Sequence, residues 1–153
     1  MSDNSHIQLI EGAPTPAVIM NIWAETAAEL MTTNLITLHA SAPIRAAVFA
    51  LGEDGPSGAP VLDDDGRLTG FISRTDLVNL MTRLFGQSPP TLDAITVADV
   101  MTPAILCVTQ ETGAAFVVEL MLAEDVSRVF VLDSEERVIG VISAVDIMRN
   151  AGG

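Results

Sequence analysis

Lysine and tyrosine are absent from this 153-residue sequence, and cysteine and tryptophan occur once each. Without lysine there is neither a Schiff-base amine nor a phosphate-binding lysine loop. The seven bases, all arginine, face 20 acids and leave a formal charge of −13. A surface this acidic repels phosphate backbones and anionic lipids at long range, which argues against general nucleic-acid or membrane-surface binding. A local anion site built from a few arginines is not excluded. Cys107 has no partner for an intramolecular disulfide, which suits a reducing cytoplasm, and a cytoplasmic location is expected. Within the apolar run Ile105-Leu106-Cys107-Val108 it reads as a buried strand residue rather than a nucleophile. His6 and His39 lie far apart, so no metal-ligand spacing exists. Asp63-Asp64-Asp65-Gly66 lacks the alternating ligands and distal Glu of a calcium loop and reads as a turn. No glycine-rich nucleotide fingerprint and no nucleophile elbow is present. The expectation is a protein with no catalytic residues, no metal and no required cofactor. No signal peptide or membrane span is expected either, because the segment after Met1 has no basic region and no long apolar stretch.

What the sequence does have is aliphatic bulk. Hydrophobic residues make up 49% and aromatics only 4%, so a core must be built from Val, Ile, Leu, Ala and Met. It also has an internal repeat. Met31-Thr32 recurs as Met101-Thr102, an offset of 70 that carries Thr26 onto Thr96 and Val61-Leu62-Asp63 onto Val131-Leu132-Asp133. The same offset carries Arg67 onto Arg137, and Gly70, Ile72, Ser73 and Asp76 onto Gly140, Ile142, Ser143 and Asp146. Chance matches do not hold one register over such a span, so the chain is a duplication.

The hydrophobic period alternates in the same way in both copies. A short helix over Ala24–Met31 or Thr96–Met101 leads into a strand, Leu35–Leu38 or Ile105–Val108. An amphipathic helix follows, near Pro43–Leu51 and Gly113–Ala123; in the second, Phe116, Val117, Leu120 and Met121 form one apolar stripe. A strand–turn–strand hairpin comes next, with Asp63–Gly66 or Asp133–Glu136 at its tip. Each copy closes with a helix, Thr75–Phe85 or Ala144–Asn150. The segment 1–20, with Gly12, Pro14 and Pro16, reads as an extended arm. The first repeat spans 21–85, a breaker-rich linker 86–93, and the second repeat 94–153. Trp23 opens the first helix as an anchor for the arm or for a partner.

Each repeat ends in Gly-φ-φ-Ser-x-x-Asp (φ apolar): Gly70-Phe71-Ile72-Ser73-Arg74-Thr75-Asp76, then Gly140-Val141-Ile142-Ser143-Ala144-Val145-Asp146. Together with the leading Met-Thr and the element order, this resembles the cystathionine-β-synthase (CBS) domain family over residues 21 to 150. The resemblance implies an α+β fold, a tandem pair of CBS-type βαββα units packed about a pseudo-twofold axis. It also implies a regulatory module rather than an enzyme, one that senses an adenosine-containing nucleotide in the cleft between repeats. In that family the motif Asp takes the ribose hydroxyls and the Ser approaches phosphate, roles that fall to Asp76 and Asp146 and to Ser73 and Ser143. A carboxylate accepting from both hydroxyls of a diol makes charge-assisted bonds, so the chemistry agrees with that assignment. Apolar residues of the first strand, Leu35 and Ile105, would cover the adenine.

Family members often place a basic residue before the middle strand. Here Arg128 stands in the second copy and Gly58 in the first, with Arg74 as a substitute cation. The nucleotide expectation therefore rests mainly on Arg128, Ser143 and Asp146. Ser-x-x-Asp at a strand-to-helix junction is equally a capping box, and the two roles can coexist. The alternative is a ligand-independent dimerisation or protein-interaction module. In either case a homodimer and an unidentified regulated protein are the expected partners.

Overall fold

The computed structural model describes residues 7–9, 21–22, 24–85, 92–103 and 105–152. The expected arm (1–6 and 10–20), Trp23 and most of the expected linker lie outside them. In chain order the elements are β1 (Ile7–Leu9), β2 (Asn21–Ile22), α1 (Ala27–Leu30), β3 (Leu38–His39), α2 (Ile44–Ala50), β4 (Gly58–Leu62), β5 (Leu68–Ser73) and α3 (Arg74–Leu84). A 3-10 turn at Leu92–Ala94 precedes α4 (Val97–Val100), β6 (Ile105–Thr109), α5 (Ala114–Ala123), β7 (Arg128–Leu132), β8 (Val138–Ser143), α6 (Ala144–Arg149) and β9 (Ala151–Gly152). This is the expected α+β fold, with the βαββα order present twice. Among the described residues no helix is long and apolar enough to cross a membrane.

Beside a small β2–β9 ladder, the two larger sheets share one strand order and hairpin register. In one, β3 runs parallel to β4 with Leu38 opposite Val61, and β4 runs antiparallel to β5 with Val61 opposite Gly70. In the other, β6 is parallel to β7, and β7 is antiparallel to β8 with Val131 opposite Gly140; β1 adds a further edge strand beside β6. The register slips between Val61 and Leu62 and again between Val131 and Leu132, a bulge preserved by the duplication. Both hairpin tips are tied by an aspartate. Asp63 Oδ1 accepts from the amides of Asp65 and Arg67, and Asp133 Oδ1 from those of Glu135 and Arg137, at 2.8–3.0 Å. The turn reading of Asp63–Gly66 therefore holds, with Gly66 at φ +78°; its counterpart Glu136 sits at φ +63°, where a side chain is strained.

The compact units of the fold are drawn differently from the sequence repeats. Among the described residues, one unit holds Ile36–Ile105 with Ile7, and the other holds Gln8–Leu35 with Leu106–Gly153. Each unit thus takes its leading helix from the opposite repeat. The first unit's core joins Leu38, Ile44, Ala47, Val61, Ile72 and Leu77 to Val97 of α4, which is fully buried. The second joins Val108, Val117, Val129, Val131 and Ile142 to Ala27 and Leu30 of α1, 0% and 2% exposed. Helices of one turn are marginal by themselves, so this packing is what holds α1 and α4 in shape.

The strand expected over Leu35–Leu38 shrinks to Leu38–His39 for the same reason. Residues up to Leu35 belong to the second unit, and the Leu35 amide turns back onto the Thr33 carbonyl at 2.9 Å. Pro43 stands just before α2, at its N-cap with φ −65°, instead of within the first turn. Cys107 is fully buried in β6, and burial pushes its thiol up to about 12. Of the methionines, Met121 is buried, whereas Met81 and Met148 stand 54% and 65% exposed.

Candidate functional site

Each Ser-x-x-Asp motif joins the last strand of a sheet to the helix after it, and each forms a complete capping box. Ser73 caps α3: its hydroxyl accepts from the Asp76 amide at 3.2 Å, while Asp76 Oδ2 accepts from the Ser73 amide at 2.8 Å. Ser143 caps α6 in the same way, and Asp146 Oδ2 accepts from the Ser143 amide at 2.8 Å. In both, the serine hydroxyl also lies within 3.1 Å of that carboxylate oxygen. The capping half of the sequence reading is therefore present twice. Such a box stabilises a helix start by about 1 kcal/mol.

Close approach of the leading segment explains the motif glycines. A Cβ on Gly140 would stand 2.4 Å from Met31 Sδ, and one on Gly70 would stand 2.7 Å from Met101 Sδ and 2.9 Å from the Thr102 carbonyl oxygen. With no side chain there, each Met-Thr pair lies down beside the hairpin. Thr32 exchanges two backbone hydrogen bonds with Val141, at 2.9 and 3.1 Å, and Thr102 exchanges two with Phe71, at 2.9 and 2.7 Å.

The outer carboxylate oxygens differ between the units. Asp146 Oδ1 accepts from the Thr32 hydroxyl at 2.8 Å and from Arg149 Nη1 at 3.3 Å. Counting the cap, four donors converge on this carboxylate, filling its usual acceptor positions, and Asp146 is only 4% exposed. Asp76 is partly exposed, and among the described residues its Oδ1 has no hydrogen-bond partner. The position corresponding to Arg149 is Asn79, and Thr102 makes no bond to Asp76. Sequence reasoning passed over Thr32 and Arg149 as site residues. The recurring Met-Thr was the available signal, but nothing local shows that a residue 114 positions away meets Asp146.

The remaining candidates are distributed as follows. Arg128 opens β7 directly opposite Ser143, and its Nη1 donates to the Ser127 hydroxyl at 3.3 Å. Gly58 occupies the same place opposite Ser73. Arg74 turns to the carboxyl end of α2, donating from Nε to the Leu51 carbonyl at 2.8 Å and from Nη2 to those of Gly52 and Gly55 at 3.0 and 2.6 Å. There it pairs the carbonyl of the Leu51 C-cap and braces the loop that follows α2. Leu35 is partly buried and lies in the unit that holds Asp146; Ile105 begins β6, and its side chain lies outside the described residues.

Fold and site together define a duplicated α+β module whose repeats each present a serine–aspartate cap at a strand-to-helix junction. The CBS domain family matches residues 27–83 and 97–153, and the chain belongs to it. It is 28% identical over 121 residues to inosine-5'-monophosphate dehydrogenase of Methanocaldococcus jannaschii, covering 79% of this chain but only 22% of that enzyme. Among solved structures, CBSX2 in complex with AMP is 27% identical with a TM-score of 0.64, covering 82% of this chain and 95% of that one. A hemolysin-like protein containing a CBS domain from Oenococcus oeni shares the fold with a TM-score of 0.69 at 21% identity, covering 86% and 93%.

Proposed function

We propose that this chain is a regulatory CBS-pair module that binds an adenosine-containing nucleotide: AMP, ADP, ATP or a related molecule. The observation that carries this reading is the duplicated Ser-x-x-Asp geometry, in which a carboxylate is fixed beside a helix start in each unit. The AMP complex of CBSX2, a relative of similar length, supports the adenosine class. In this reading Asp76 and Asp146 serve the ribose diol, and Ser73 and Ser143 serve the phosphate end. The amides at the start of the eleven-residue α3 add a positive dipole end. Arg128, opposite Ser143, supplies the cation, Arg74 is the reserve, and Leu35 and Ile105 cover the adenine.

The function is binding, with no catalytic step. Ligand favours one state of the module, and a regulated protein feels at most the difference in ligand affinity between states. Exposed Val78, Met81 and Phe85 on and just after α3, with Met148 on α6 at the position corresponding to Val78, support self-association as a homodimer. Calorimetry with AMP, ADP, ATP and S-adenosylmethionine tests the assignment. Saturable binding that is lost in an Asp76→Ala/Asp146→Ala double variant is expected. No saturable heat with any of them overturns it. The saturated Asp146 favours a second reading, a ligand-independent interaction module, which predicts an oligomer whose stability ignores every nucleotide.

A further inference from the structure

We propose that the two motif carboxylates are unequal by construction, and that Thr32 is an intramolecular plug that keeps Asp146 closed while Asp76 stays open. The inference rests on the nucleotide reading and deepens it to stoichiometry: one adenosine-type ligand per chain, held through Asp76. It ranks the motifs differently from the sequence alone, which favoured Asp146 for its neighbouring Arg128.

A ribose diol needs free acceptor positions on the carboxylate. Asp146 offers none, since Ser143 fills Oδ2 and Thr32 and Arg149 fill Oδ1. The plug is built in, because Thr32 is held by paired backbone bonds to Val141 and the Met31 side chain lies against Gly140. A diol must therefore displace a hydroxyl already at 2.8 Å, and it recovers no more than it removes. At Asp76 the same scaffold is present but the hydroxyl and the cation are missing, so among the described residues nothing occupies the lone pairs of Oδ1. Asp76 is also less buried, so a ligand reaches it without opening the core.

The experiment is calorimetry with AMP and with adenosine on the full chain, wild type against Thr32→Val, Thr32→Ser and Asp76→Asn, with circular dichroism confirming each fold. Wild type is expected to take up one ligand per chain and to lose roughly tenfold or more in affinity in Asp76→Asn. Thr32→Val, which keeps the side-chain shape and removes the hydroxyl, is expected to bind a second equivalent, and Thr32→Ser to restore the single site. If Thr32→Val is misfolded, Thr32→Ala provides the second opening, since it also removes the hydroxyl that fills Asp146 Oδ1, and is expected to admit the extra equivalent. Wild-type binding with stoichiometry unchanged in both openings overturns the plug and leaves the nucleotide reading standing. Wild-type binding that survives Asp76→Asn overturns the ranking. No binding by any variant overturns the nucleotide reading, and the plug falls with it.

Discussion

Replacing Leu30 by alanine tests the exchange of leading helices between repeats. Leu30 belongs to the first repeat by sequence but is buried, 2% exposed, in the second unit's core with Val117, Val129 and Ile142. The change removes three carbons, worth about 2.4 kcal/mol at ~0.8 per methylene-sized group. A residual cavity adds to this, and Leu→Ala losses run about 2–5 kcal/mol. Because α1 is a single turn and can settle, about 2.5–3.5 kcal/mol is expected. The melting midpoint should fall by roughly 6–12 °C. Hydrogen exchange read amide by amide locates the loss: Val129, Val131 and Ile142 should lose protection, while Val61 and Ile72 keep theirs. Val97→Ala is the mirror experiment, worth about 1.6 kcal/mol for two methyl groups, with the loss at Val61 and Ile72. Protection lost from residues 38–73 in Leu30→Ala, with 106–150 unaffected, would refute the exchange.

Glu136→Gly should raise stability by up to about 1 kcal/mol in denaturant titration. It relieves a left-handed backbone that costs roughly 1–2 kcal/mol and gives back part of this in unfolded-chain entropy. The Cys107 thiol should resist a thiol reagent at pH 8 until the chain unfolds. Its rise from 9.0 to about 12 means the unfolded thiol ionises first, so this residue draws stability down between those pH values; Cys107→Ser should remove that part of the alkaline slope. The Thr96 amide and hydroxyl hold the Asp99 carboxyl below its usual 3.8. Its contribution is therefore present above about pH 4 and lost as pH falls through the lowered value. The stability gap between wild type and Asp99→Asn should narrow from pH 7 to pH 2.5.

Local physics was legible in the sequence and assembly was not. The Asp-Gly turn, the Ser-x-x-Asp caps and the α5 stripe each depend on residues within about four positions. Gly70 and Gly140 announced themselves by recurring, but only the structure shows Met101 and Met31 lying where a Cβ would be. Arg74 drew notice because it stands inside the motif; that its planar fork meets three carbonyls at and after the end of α2, about 20 residues distant, was not legible locally. The expected strand at Leu35 failed because period-2 apolarity cannot tell which unit a segment serves. Thr32 stayed hidden for the same reason, since its partner lies in the other repeat.

The division into units also bears on biosynthesis. Ile36–Ile105 is one unbroken stretch, whereas the second unit is interrupted in sequence by it. During translation the inserted unit can complete its core while the chain is still emerging. Ala27 and Leu30, made earlier, have to wait for β7 and β8, made about 100 residues later. Until then the structured insert acts as a short tether, lowering the loop-closure entropy that roughly 70 flexible residues would otherwise impose. Closure of the second unit is thereby favoured once the first has folded, and a ribosome stalled before β7 would leave Ala27 and Leu30 without the core that shelters them.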